Sequence, residues 1–203
     1  MNFQYLHTRP TGELQDNLMH RPSGIAFEYL FSPTKIENLQ LGASISVSMY
    51  QNENHSGEIA ISSTQDAYVA TNEDDCFYTF QGIARFYLSD QQKLFRPYFQ
   101  GQLGGATFFS TLTLTEDPEQ AFSEENRSHG TAILAGLGGG IAIKVYDGFY
   151  LDANLVYNES STTNYRTSPE SDSGAQYRID LSSHQERSKV NHLALKLGMN
   201  MLF

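Results

Sequence analysis

Between Val190 and Phe203 the side chains alternate almost without error. One parity carries Leu193, Leu195, Leu197, Met199, Met201 and Phe203, and the other carries His192, Ala194, Lys196, Gly198 and Asn200. Successive side chains of a strand point to opposite faces, so this segment presents a continuous oily face backed by a polar or very small one. Such a strand folds in one of two ways. In water the oily face turns into a core; in a membrane barrel it turns outward to lipid and the polar face lines a lumen.

Alternating runs recur along the whole chain, at residues 2–8, 23–31, 39–50, 76–88, 95–114, 131–145, 149–160 and 188–203. Three connections are short, including the tight Tyr146-Asp147-Gly148. The others are long and polar, at about 9–22, 51–75, 115–130 and 161–187. Short turns at one end and long loops at the other fit an up-and-down barrel crossing a membrane. The even strand count returns the C-terminus to the short-turn end. With 13 Phe, 12 Tyr, 16 Gly and only 6 Pro, the composition suits many strands. No run approaches the roughly 18 apolar residues that a spanning helix needs.

The parities can be followed strand by strand. Leu39, Leu41, Ala43, Ile45, Val47 and Met49 oppose Gln40, Gly42, Ser44, Ser46 and Ser48. Tyr78, Phe80, Ala84 and Phe86 oppose Thr79, Gln81, Ile83, Arg85 and Tyr87. Gly136, Gly138 and Gly140 share one face, which suits a narrow lumen crowded by long partners. The runs reach about 12 to 16 residues, more than the roughly 9 to 11 needed to cross tilted. These features favour lipid outside, and the expected fold is all-β, an eight-stranded antiparallel transmembrane barrel forming a single domain over residues 1–203.

The terminal strand His192 to Phe203, the segment Arg96-Pro97-Tyr98-Phe99-Gln100-Gly101-Gln102-Leu103-Gly104-Gly105 and the run Gly136 to Ile143 carry a resemblance. On these residues the chain resembles the small bacterial outer-membrane β-barrel family of the eight-stranded OmpA and OmpX type. The resemblance implies residence in a Gram-negative outer membrane, contact with lipid and lipopolysaccharide, and insertion by the outer-membrane assembly machinery. Leu197, Met199, Met201 and Phe203 look like the C-terminal signal that this machinery reads. Met1 to Tyr5 shows no basic start, apolar run or cleavage site, so an exported chain is expected to have lost its signal peptide.

The family hosts scaffolds, adhesins, pores and lipid-modifying enzymes, so activity is read from residues. Glu28, Arg85, Lys144, Asp152, Lys196 and His192, with Gln81, Gln100 and Gln102, fall on polar faces and are expected to form a charge network in the lumen. A barrel of this size has room only for side chains, so an ion-paired plug is expected over a pore. His55-Ser56, Ser128-His129 and Ser182-Ser183-His184 with Glu186 offer nucleophile and base types in loops, but proximity in sequence builds no triad. The chain also lacks the His-x-Ser pairing of outer-membrane lipid A deacylases. No catalytic residues are assigned.

Acidic clusters at Glu73-Asp74-Asp75, Glu116-Asp117 with Glu119, and Glu124-Glu125 lack EF-hand spacing, and no Cys or His cluster has zinc spacing. No metal or cofactor is expected. Lone Cys76 has no internal disulfide partner, and a net charge of -10 argues against nucleic acid. Tyr165 and Tyr177 in the Ser/Thr/Asn-rich loops, especially the stretch from Asn158 to Gly174, suit contact with a protein or glycan. The expected role is therefore non-enzymatic: a structural protein or an accessory subunit of a larger outer-membrane complex. The alternatives are a lipid-modifying enzyme, a narrow gated pore, and a soluble lipocalin-like barrel with its faces reversed.

Overall fold

Strands that alternate this strictly need partners on both edges, and the chain supplies them by closing on itself. The computed structural model describes residues 1–12, 15, 21–33, 38–62, 65–90, 92–116, 122–166 and 185–201. Its elements in chain order are β1 (Asn2–Pro10), β2 (Ser23–Phe31), β3 (Leu39–Ser62), β4 (Gln65–Tyr87), β5 (Phe95–Glu116), β6 (Phe122–Tyr146), β7 (Phe149–Ser160), β8 (Thr162–Arg166), β9 (Gln185–Lys189) and β10 (His192–Met201). All except β8 and β9 form one closed antiparallel barrel in the order β1-β10-β7-β6-β5-β4-β3-β2. The seam pairs β1 with β10, Asn2 against Asn200 through Pro10 against His192.

The barrel is inside out relative to a soluble protein. Leu137 is 76% exposed, and Leu103, Phe80 and Ile133 are almost as open, whereas Gln4, Glu28 and Arg85 are fully buried. The hydrophobic effect cannot produce that arrangement in water; apolar surface of this extent is stable against lipid tails. The soluble lipocalin-like alternative is thereby overturned, because Leu195 and Leu197, which it needs around a central pocket, stand on the outer wall. Phe31, Phe86, Phe95 and Tyr146 stand exposed where strands meet the short turns, the place of an aromatic interface girdle. No helix is long and apolar enough to cross a membrane.

At the short-turn end, Tyr146 pairs with Phe149 across Asp147-Gly148, and Gly148 takes a φ of 78°. Tight hairpins demand such backbone angles, which only a residue without Cβ adopts freely. At the opposite end the strands run on. The segment 51–75, expected as a loop, is strand instead: β3 continues to Ser62 and β4 starts at Gln65. Likewise β6 begins at Phe122, inside the expected loop 115–130, and β8 pairs with β9 inside the expected loop 161–187. The reason is physical. Backbone pairing needs no apolar face, so the ladder continues where the apolar alternation that advertises it stops. A register shift lies between Met49 and Gln51, where Tyr50 is the extra residue.

Candidate functional site in the barrel lumen

The inward parities of the strands stack side chains into layers along the barrel axis. In the central layer β4 supplies Arg85, β2 supplies Glu28, β7 supplies Asp152 and β10 supplies Lys196, all buried. The Arg85 guanidinium donates from Nη2 to Glu28 Oε2 at 2.7 Å and from Nη1 to Asp152 Oδ2 at 3.0 Å. Its Nε and Nη2 also donate to Gln100 Oε1 at 2.9 and 2.7 Å. Lys196 Nζ donates to the other Glu28 oxygen at 3.0 Å, and Asn2 Nδ2 adds a third contact at 3.1 Å. Tyr98 donates its hydroxyl to Asp152 Oδ1 at 2.6 Å and lies under the Arg85 guanidinium, 4.2 Å from ring centroid to carbon. Two carboxylates and two cations thus balance, and every carboxylate oxygen accepts a bond, the condition under which buried charges are tolerated.

The next layer toward the loops is neutral. Gln100 Nε2 donates to Gln102 Oε1 at 3.2 Å, and Gln102 Nε2 to Asn158 Oδ1 at 2.6 Å. Asn158 Nδ2 lies 3.1 Å from His192 Nε2, while His192 Nδ1 lies 3.1 Å from the Val190 carbonyl. A carbonyl only accepts, so the ring proton sits on Nδ1 and Nε2 accepts from Asn158. These long side chains occupy the space left by the glycines of β6. A Cβ at Gly136 would strike Asn158 and Gln102, and one at Gly140 would strike the Tyr98 hydroxyl.

Above His192 the lumen turns apolar. Tyr50, Phe77, Ala106, Phe108, Ala132, Leu134 and Val190 form one buried cluster. Phe77 stacks on Phe108 at 5.5 Å and meets the His192 ring at 5.9 Å. Val190 is placed there by the start of the β9 to β10 connection, whose amide donates to Ser160 Oγ at 2.5 Å. At the short-turn end a second apolar cluster gathers Tyr87, Tyr98, Ala142 and Tyr150. The lumen is therefore filled by an aromatic cap at each end of a polar centre.

Of the residues expected in a lumen charge network, Glu28, Arg85, Asp152 and Lys196 meet in one cluster, and His192 lies a layer away, bonded to amides. Lys144 stands apart: it is partly exposed and donates to Asp147 Oδ1 in the β6 to β7 turn at 2.7 Å. Its parity is inward, but it sits at the rim, where the turn carboxylate lies closer than the lumen. That hydrogen bond holds the exposed Asp147 carboxyl below its ordinary range. Leu197, Met199 and Met201 point to the lipid side with Leu195, and Phe203 lies outside the described residues.

The sequence reading assigned no face to Phe77, Tyr98 or Phe108, although they share parity with Gln81, Gln100 and Gln102; reading aromatic residues as wall residues hid the two caps. The His-Ser pairs 55–56 and 128–129 lie on β3 and β6 with their side chains outside the described set, as do those of Glu73, Asp74, Glu116, Glu124, Glu125, Tyr165 and Glu186. Residues 182–184, Asp117, Glu119 and Tyr177 are likewise outside the described residues. Among the described residues no group of His, Cys, Asp and Glu is arranged to hold a metal ion.

The closed strand order and exposed apolar wall decide the architecture. The chain has the fold of the small eight-stranded outer-membrane barrels. It is similar to the attachment invasion locus protein Ail of Yersinia pestis, crystallised with the heparin analogue sucrose octasulfate, with a TM-score of 0.58 and 12% identity over 100% of this chain and 95% of that one. It is similar also to Neisserial surface protein A, with a TM-score of 0.51 and 15% identity over 100% and 95% of the two chains. At these identities the likeness is one of fold. No protein-family model and no curated protein sequence matches the chain.

Proposed function

We propose that this protein is a non-conducting, non-enzymatic barrel of the bacterial outer membrane that acts through its outer surfaces, as a structural protein or an accessory subunit of a larger outer-membrane complex. The observation that carries this reading is the filled lumen. An ion-paired centre between two aromatic caps leaves the interior occupied by side chains. What remains for function is the lipid-facing wall and the ribbons that β3 to β6 raise beyond it. The Leu197, Met199 and Met201 face supports recognition of β10 by the assembly machinery, and the wall as a whole supports contact with lipid and lipopolysaccharide.

Ail was crystallised with a sulfated polyanion. A net charge of -10 makes the same class of partner unfavourable here and favours neutral or basic surfaces, or polyanions bridged by divalent cations. The deciding experiment is extraction from the native membrane in mild detergent, followed by the mass of the particle that carries the chain. A particle much heavier than one chain plus micelle supports the accessory-subunit role. A particle of one chain, with no co-purifying protein after crosslinking in cells, refutes that role and leaves the freestanding structural one.

A further inference from the structure

The cap at the short-turn end contains a cation that the ion-paired centre does not use. Arg96 is 1% exposed and its guanidinium carbon lies 3.9 Å above the Tyr87 ring and 5.5 Å from that of Tyr150. Its Nε is buried with no hydrogen-bond acceptor. The carboxylates of the lumen's central layer are already taken: Glu28 by Arg85, Lys196 and Asn2, and Asp152 by Arg85 and Tyr98. Among the described residues, the ion-paired centre is neutral and Arg96 adds one positive charge beside it.

Two aromatic faces compensate a buried guanidinium only in part, because a cation–π contact is weaker than the hydration that the ion gives up on burial. The aromatic walls fix the guanidinium plane and leave its edge, with an orphan N–H, as the free donor. A planar fork held by stacking is the donor geometry that matches carboxylate and phosphate oxygens. Arg96 stands opposite the small, buried Ala142, and Lys144 follows two residues nearer the rim, partly open to solvent and paired with Asp147, so the way to Arg96 from the rim is lined by a small side chain and a cation.

We propose that the short-turn mouth of the barrel is an oxyanion site, in which the guanidinium of Arg96, clamped by Tyr87 and Tyr150, binds a phosphate-class anion that enters past Lys144. The anion comes either from solution or from a lipid phosphodiester at the membrane surface. The inference is independent of the accessory-subunit reading, because it concerns the short-turn mouth of the lumen and not the outer wall.

The test is NMR of the whole barrel in phosphatidylcholine nanodiscs, following the Arg96 Nε–H signal and the amides of Tyr87, Tyr98 and Tyr150 while inorganic phosphate replaces chloride at constant ionic strength. Saturable shifts in the wild type, lost in Arg96→Gln and roughly tenfold weaker in Arg96→Lys because the fork is replaced by a point charge, support the site. The Lys variant keeps the charge and guards against a Gln variant that fails to fold. Shifts of the same signals when phosphatidylglycerol replaces phosphatidylcholine, with no phosphate added, support it with lipid as the source. Signals that stay still under both additions, or that shift equally in Arg96→Gln, overturn it.

Discussion

At the residue scale, the lumen centre is a set of charges whose value depends on all members being present. Removing Arg85 leaves the buried Asp152 with no cation and only the Tyr98 hydroxyl, and leaves Glu28 with Lys196 and Asn2, so Arg85→Ala is expected to lower unfolding stability by about 3–5 kcal/mol, read from urea titration of the folded barrel in lipid vesicles. The double variant Arg85→Met with Glu28→Gln should recover a substantial part of that loss, since it removes charge from both sides. The glycines of β6 make an equally specific demand. A Cβ at Gly138 would run into the Leu155 carbonyl and the Val156 side chain, so Gly138→Val is expected to yield no heat-modifiable band on a denaturing gel, while Gly139→Ala, whose Cβ would meet the Tyr98 carbonyl at 3.1 Å and the Phe99 ring at 3.8 Å, needs only a small shift and should fold. Parity alone made Glu28, Arg85, Asp152 and Lys196 legible as interior residues. Their mutual contacts were not legible, because which inward residues share a layer depends on strand stagger, and stagger is not written in any one strand.

At the element scale, each strand has a membrane part and an aqueous part that obey different rules. Placing a charge on the lipid wall should be costly: Leu137→Arg is expected to destabilise the barrel by roughly 2–4 kcal/mol if it lies near the bilayer midplane, measured by the same vesicle titration. The aqueous ribbon should be dispensable to assembly. Asn52 pairs with Asp74, so replacing residues 53–73 by an Asn-Gly turn leaves the hairpin closed above the lumen cap and is expected to preserve the heat-modifiable band. Strands β1, β2 and β7 matched their sequence boundaries within two residues, because alternation persists over their whole length. The upper halves of β3, β4 and β6 did not, since a segment such as Gln51 to Ser56 reads as a polar loop whether or not it is paired.

At the scale of the molecule, an apolar cap, an ion-paired centre and a second apolar cap stand in series along the axis. Wild-type protein in planar bilayers is expected to show no conductance steps. Phe77→Ala with Phe108→Ala should also be silent, because the ion-paired centre still closes the path; steps from that double variant would show that the loop-end cap is the sole barrier. The class of fold was legible from the sequence because a lipid-facing wall and a packed interior impose the same period on every strand. Where the caps lie was not, since parity tells which aromatics face inward but not which of them meet at one depth along the axis.

The seam has a consequence for how such a chain reaches the membrane. The Met1 amine donates to the Met201 carbonyl at 2.7 Å, a contact 200 residues apart in sequence, and β1 finds β10 only after everything between them has been made. Until that moment two strand edges are open and an apolar wall has no lipid, the two features that make nascent chains stick to one another. Closure is also the contact of greatest loop entropy, hence slow. A chain built this way carries its open edges and its oily wall until the ring is shut, so anything that delays closure lengthens the time in which copies can adhere to one another.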